Sequence, residues 1–160
     1  MRFLRRLFEL WLSFLALAAG GALIAKAKLP VIDDPDSDEL ALVSIFDGTE
    51  LRSTASAFRG GTIVAVFGGT ELDLRRATVS EHGAHLEITA FYGGVNVTVP
   101  DTWLVTTANR SIAGGVDVSV PAPDELDEHA PRVTISTRTV FGGTRIVARP
   151  VLKAAEESSS

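Results

Sequence analysis

Glu71 and Asp73 stand two apart in Thr70-Glu71-Leu72-Asp73-Leu74, so on an extended strand both carboxylates share one face. Paired acids on a face can serve general acid–base chemistry, as in glycoside hydrolysis. Arg75 and Arg76 follow at once and offset the charge, which favours an ordinary solvated strand face. His82-Gly83-Ala84-His85, flanked by Glu81 and Glu87, holds two imidazoles. A glycine between them reads as a turn linking strands, whereas a zinc site needs three or four converging ligands. His129 closes Asp124-Glu125-Leu126-Asp127-Glu128 and reads as part of an exposed acidic loop. No serine is bracketed as Gly-x-Ser-x-Gly, and no glycine pair continues into a phosphate-binding loop or dinucleotide fingerprint. Trp103, after Val99-Pro100-Asp101-Thr102, either packs as a lid over a corner or stacks on a ligand. The expectation is a protein that is not an enzyme, with no catalytic residue, cofactor or metal.

The elements that position these residues are limited by a length of 160, enough for about one domain. With 46% hydrophobic residues the chain can bury a core, and a net charge of −5 lacks the basic footprint of a nucleic-acid binder. There is no cysteine, which removes thiol nucleophiles, disulfides and zinc–thiolate sites together. Leu7 to Ala25 runs nineteen residues with Glu9 as its sole charge, close to the roughly 20 needed to span a bilayer as a helix. Residues 1–28 therefore read as a membrane anchor in a single-pass cell-membrane protein, with a cleaved signal peptide ending near Ala25-Lys26-Ala27 as the alternative. Arg2, Arg5 and Arg6 before the span against Lys26 and Lys28 after it lean towards an inside N-terminus, and the side of the C-terminal domain stays open. Residues 29–39, with two prolines and a run of acids, read as an acidic linker, and 151–160 as a disordered polar tail.

Between them the glycines set a repeat. Twelve of fourteen occur in pairs. Aligning Phe67-Gly68-Gly69-Thr70, Tyr92-Gly93-Gly94-Val95, Ala113-Gly114-Gly115-Val116 and Phe141-Gly142-Gly143-Thr144 with a fainter Phe46-Asp47-Gly48-Thr49 gives anchors spaced by 21, 25, 21 and 28 residues. That is the period of a solenoid. After each anchor a polar residue (Glu50, Glu71, Asn96, Asp117, Arg145) precedes an apolar one (Leu51, Leu72, Val97, Val118, Ile146), the alternation of a strand with one face buried. Residues 40–150 thus read as an all-β, small right-handed β-helix or solenoid-like stack of short strands. Its corners turn at Gly48, Gly68, Gly69, Gly93, Gly94, Gly114, Gly115, Gly142 and Gly143, where glycine permits positive φ and close approach. A β-sandwich with hairpins at the glycine pairs is the alternative.

Phe67-Gly68-Gly69 running into Glu71-Leu72-Asp73-Leu74-Arg75-Arg76-Ala77, Phe91-Tyr92-Gly93-Gly94-Val95 running into Val99-Pro100, and Trp103-Leu104-Val105 together resemble the C-terminal domain of LiaF-like proteins, the cell-wall-active-antibiotic response family of bacteria with a toastrack-type β-domain. The resemblance covers about residues 58–148. It implies a membrane-associated, non-catalytic regulator in envelope-stress signalling, with a sensor kinase as the kind of partner. The chain departs from LiaF in having one apolar span ahead of the domain rather than four. The expected partner is a protein in the membrane or envelope, met by Glu50, Glu71, Asn96 and Asp117 as a stacked outward row, or by Trp103. Two other readings stand: a carbohydrate- or lipid-binding solenoid, for which only Trp103 and Tyr92 offer an aromatic row, and a self-associating structural protein.

Overall fold

The computed structural model describes residues 31–151; the expected span over 7–25 and the tail from 152 onward lie outside them. Ten strands follow one another: β1 (Glu39–Ile45), β2 (Gly48–Arg52), β3 (Gly60–Val66), β4 (Gly69–Asp73), β5 (Ala84–Phe91), β6 (Gly94–Pro100), β7 (Leu104–Ile112), β8 (Gly115–Ser119), β9 (Arg132–Val140) and β10 (Gly143–Arg149). No helix among the described residues is long and apolar enough to cross a membrane. The odd-numbered strands form one sheet and the even-numbered strands a second. Every ladder in both is parallel. A hairpin at a glycine pair would make its two strands antiparallel neighbours, so the sandwich alternative falls. The expected solenoid-like stack is what forms, each coil being one odd strand, a glycine corner and one even strand.

The stacking is not sequential. The odd sheet runs β1-β3-β5-β9-β7 and the even sheet β2-β4-β6-β10-β8, so the fifth coil in the chain slots between the third and the fourth. The polarity of β7 explains why it stands last. Its core-parity residues Thr107, Asn109 and Ser111 lie in register with Ile135, Thr137 and Thr139 of β9, and a buried polar row needs partners. At the end of the stack they stay half-buried or exposed, and Asn109 Oδ1 accepts a hydrogen bond of 2.8 Å from Thr137 Oγ1. At the opposite end, residues 31–38, expected to be linker, are hydrogen-bonded onto the first coil. Ile32 and Ala41 form an antiparallel bridge, Thr54 N donates to Pro35 O at 2.7 Å and Arg59 N to Asp38 O at 2.7 Å.

Between the sheets, Leu51, Leu72, Val97 and Ile146 of the even sheet are buried, and Val118 packs against them from the end coil. Leu42, Ile63 and Ile88 face them from the odd sheet. This places the apolar row as the alternation predicts. Away from the glycine corners, Phe58 and Trp103 close the core, rings 6.4 Å apart and 19° from parallel.

The corners correct one expectation. Positive φ falls on the residue before each anchor pair: Phe46, Phe67, Tyr92, Ala113 and Phe141, all between 51° and 55°. The anchor glycines themselves do not adopt it. The first glycine of each pair is there for space instead. A Cβ on Gly68 would strike Asp47 O, one on Gly93 would strike Gly68 O, one on Gly142 would strike Gly93 O, and one on Gly114 would strike Gly142 O. Each Cβ would point at the preceding level of the stack. Among the described residues no strand corner lies beneath that of the first coil, so Asp47 can stand where the other coils need glycine. Gly48, Gly69, Gly115 and Gly143 would meet nothing within 4 Å.

Candidate interaction face

The second glycines stack in register as Gly48, Gly69, Gly94, Gly143 and Gly115 along the outer face of the even sheet. With no side chain they leave a trough. Beside it runs the polar row Glu50, Glu71, Asn96, Arg145 and Asp117, again in register. Two hollows of about 430 and 420 Å³ lie along this trough and share Gly94 and Asn96.

The expected ladder Glu50–Glu71–Asn96–Asp117 is therefore corrected. The coil inversion places Arg145 between Asn96 and Asp117, and Arg145 Nε lies 3.3 Å from Asp117 Oδ2. Asp117's charge is compensated. Glu50 is paired with Arg52 at 2.8 Å, whereas Glu71 is in no ion pair among the described residues. Glu71 is thus the acid of the row whose charge no described residue compensates. Trp103 is also corrected as a candidate contact: it is 3% exposed and belongs to the core.

Of the acid pair and its two arginines, only Asp73 and Arg75 meet; Glu71 and Arg76 are in no ion pair among the described residues. Asp73 Oδ2 lies 2.6 Å from Arg75 Nη2, and Arg75 Nε reaches both carboxylate oxygens. The hydrogen bonds from Arg75 hold the Asp73 carboxyl below the usual carboxylate range against the opposing effect of burial. A carboxyl kept ionised is unsuited to be the proton-holding member of an acid–base pair. Near His82 the chain turns, with Gly83 N donating to Ser80 O at 2.9 Å and Gly83 at φ +83°. His82 and His85 are both exposed. Among the described residues no three His, Asp or Glu side chains gather as a metal would require. His129 sits in the exposed loop and hydrogen-bonds through its N–H to Asp127 Oδ1 at 2.9 Å.

One feature escaped the sequence reading. Four of the five positive-φ corner residues form a ladder of rings, Phe46 on Phe67, Phe67 on Tyr92 and Tyr92 on Phe141, with centroids 5.0–5.1 Å apart and planes within 13° of parallel. The signal lies in the aromatic residue at the position before four of the five anchor pairs, Ala113 being the exception. An aromatic row therefore exists, built without Trp103.

The family whose description is "Cell wall-active antibiotics response LiaF, C-terminal" matches residues 45–146. This chain belongs to that family. The matched span contains all five corners and both rows of the outer face, so the trough and the aromatic ladder lie within the LiaF-like domain itself. No curated protein and no solved structure matches the chain.

Proposed function

We propose that this protein is a membrane-tethered, non-catalytic interaction module in the bacterial response to cell-wall-active antibiotics, in which the outer face of the even sheet binds a membrane or envelope protein such as a sensor kinase. The family match over residues 45–146 carries the reading. The face supports it: a rigid, preordered row of polar side chains beside a trough offers an extended contact without a deep pocket. The tether is the apolar segment 7–25. Glu71 is uncompensated and Glu50 beside it shares its charge with Arg52, so the partner surface is basic opposite Glu71 and association weakens with added salt. Complementing a deletion strain with Glu50→Lys/Glu71→Lys tests this. The variant should keep its β-rich circular dichroism and fail to restore the transcriptional response to a cell-wall-active antibiotic. Full complementation by the folded variant would remove this face from the function.

Self-association is a second reading, favoured by the end coil. The outer edge of β7 has no strand beside it among the described residues, and Arg110 is its sole charge, scant protection for an edge strand. Ala108→Lys should abolish any concentration-dependent dimer seen by light scattering.

A further inference from the structure

We propose that the aromatic corner of the solenoid docks on the lipid bilayer, laying the domain against the membrane surface; this rests on the reading of residues 7–25 as a membrane anchor. Phe46, Tyr92 and Phe141 are 63%, 46% and 53% exposed, and Ile112 at the end of β7 is 62% exposed. Ile45, Val66, Phe91, Val140 and Ile112 lie in register immediately before the ring positions. Apart from exposed Asp47 at the first level, the corner is apolar along the stack, and contiguous exposed apolar surface marks an interaction site.

The rings stack on one another, so their faces are largely occupied and their edges meet the solvent. A sugar stacks on a ring face, which disfavours a glycan as occupant. The hollows of the even sheet take no lining from these rings, so the corner is a ridge. A ridge of ring edges suits the headgroup–acyl boundary, where aromatic side chains are favoured. One row inward on the odd sheet's outer face stand Arg110 and Arg138, in register with each other. Arg138 is paired with Glu87 at 3.0 Å, while Arg110, in no ion pair among the described residues, can reach a lipid phosphate beside the ridge.

The start of the described chain points the same way. Ile32 pairs antiparallel with Ala41, so stepping back to Val31 moves along β1 towards Ile45 and Phe46. Five residues, Lys26–Pro30, separate Ala25 from Val31 in the sequence. Two of them, Lys26 and Lys28, are basic.

Because the chain has no cysteine, one introduced at Ile112 and, separately, one at His129 can each carry a nitroxide in the full chain. Each is reconstituted in phosphatidylethanolamine–phosphatidylglycerol vesicles, and flotation is measured alongside collision rates with oxygen and an aqueous nickel chelate. The expected result is that the label at 112 gains several-fold in oxygen over nickel accessibility while the label at 129 stays aqueous. Phe46→Ser/Tyr92→Ser/Phe141→Ser should return the label at 112 to water without changing flotation. A label at 112 that stays aqueous in a chain that floats would overturn the docking and leave the anchor standing. A chain that does not float and carries an aqueous label at 112 would overturn both. Shielding at 112 from both agents without vesicles, with a dimer mass, would assign the ridge to a second copy and overturn the proposal.

Discussion

Asp73 and Arg75 show how a pair that resembles catalytic chemistry works as structure. The ion pair is mostly shielded from solvent, at 2.6 Å, and the Arg75 hydrogen bonds depress the Asp73 pKa. Its contribution is complete above the unfolded aspartate value of about 3.9 and is lost as pH falls through the lower folded value. Asp73→Asn should therefore cost about 1–2 kcal/mol in urea melts at pH 7, and the difference from wild type should shrink once the pH drops below about 4. The left-handed corner residues carry a cost of about 1–2 kcal/mol each. At Phe46, Phe67, Tyr92 and Phe141 ring stacking offsets it, since aromatic pairs contribute about 0.5–1.5 kcal/mol beyond area burial. Ala113 has φ of 51° and no ring. Ala113→Gly should raise stability by about 1 kcal/mol in the same melts, while Tyr92→Gly, which loses two stacking contacts, should not. Thr70 is buried and its Oγ1 has no hydrogen-bond partner among the described residues. Val95 fills the equivalent place one level on, which makes Thr70→Val neutral or stabilising.

At the scale of the coil, the two glycines of a pair have different jobs, and substitution separates them. Gly93→Ala forces a methyl towards Gly68 O, whereas Gly94→Ala has Gly143 O no nearer than 4.0 Å. The first should cost several kcal/mol and the second be neutral or stabilising by up to about 1 kcal/mol, because alanine restricts the unfolded chain. Equal effects would contradict the corner geometry. The strand register is tested by Val97→Asp, which buries an unpaired carboxylate and should cost several kcal/mol, against Asn96→Asp on the exposed row, within about 0.5 kcal/mol. These registers were readable because a strand has a side-chain period of two: Leu51, Leu72, Val97 and Ile146 could only face one core. The location of the positive φ was not readable from glycine content, since the pair also serves interlevel contact and its neighbour takes the left-handed backbone.

Across the whole molecule, the inversion of the last two coils decides which side chains become neighbours. The repeat reveals five levels but not their order, because parallel pairing is set by which core rows bury best. The polar Thr107, Asn109 and Ser111 were the available cue that β7 ends the stack. Without that order Asp117 looks like the next acid after Asn96, when Arg145 in fact lies between them. The polar face was thus legible as individual outward residues, while its charge pattern required the topology. The trough, too, needed the second glycines brought into register. The most direct test of this face as the partner contact is photocrosslinking in living cells. Benzoyl-phenylalanine is placed at Glu71, at Asn96 or, on the odd sheet's outer face, at exposed Thr62, in cells challenged with a cell-wall-active antibiotic. The account predicts a common membrane-protein adduct from positions 71 and 96 and none from 62. The same adduct from all three, or no adduct from 71 and 96 in a folded chain, would contradict it.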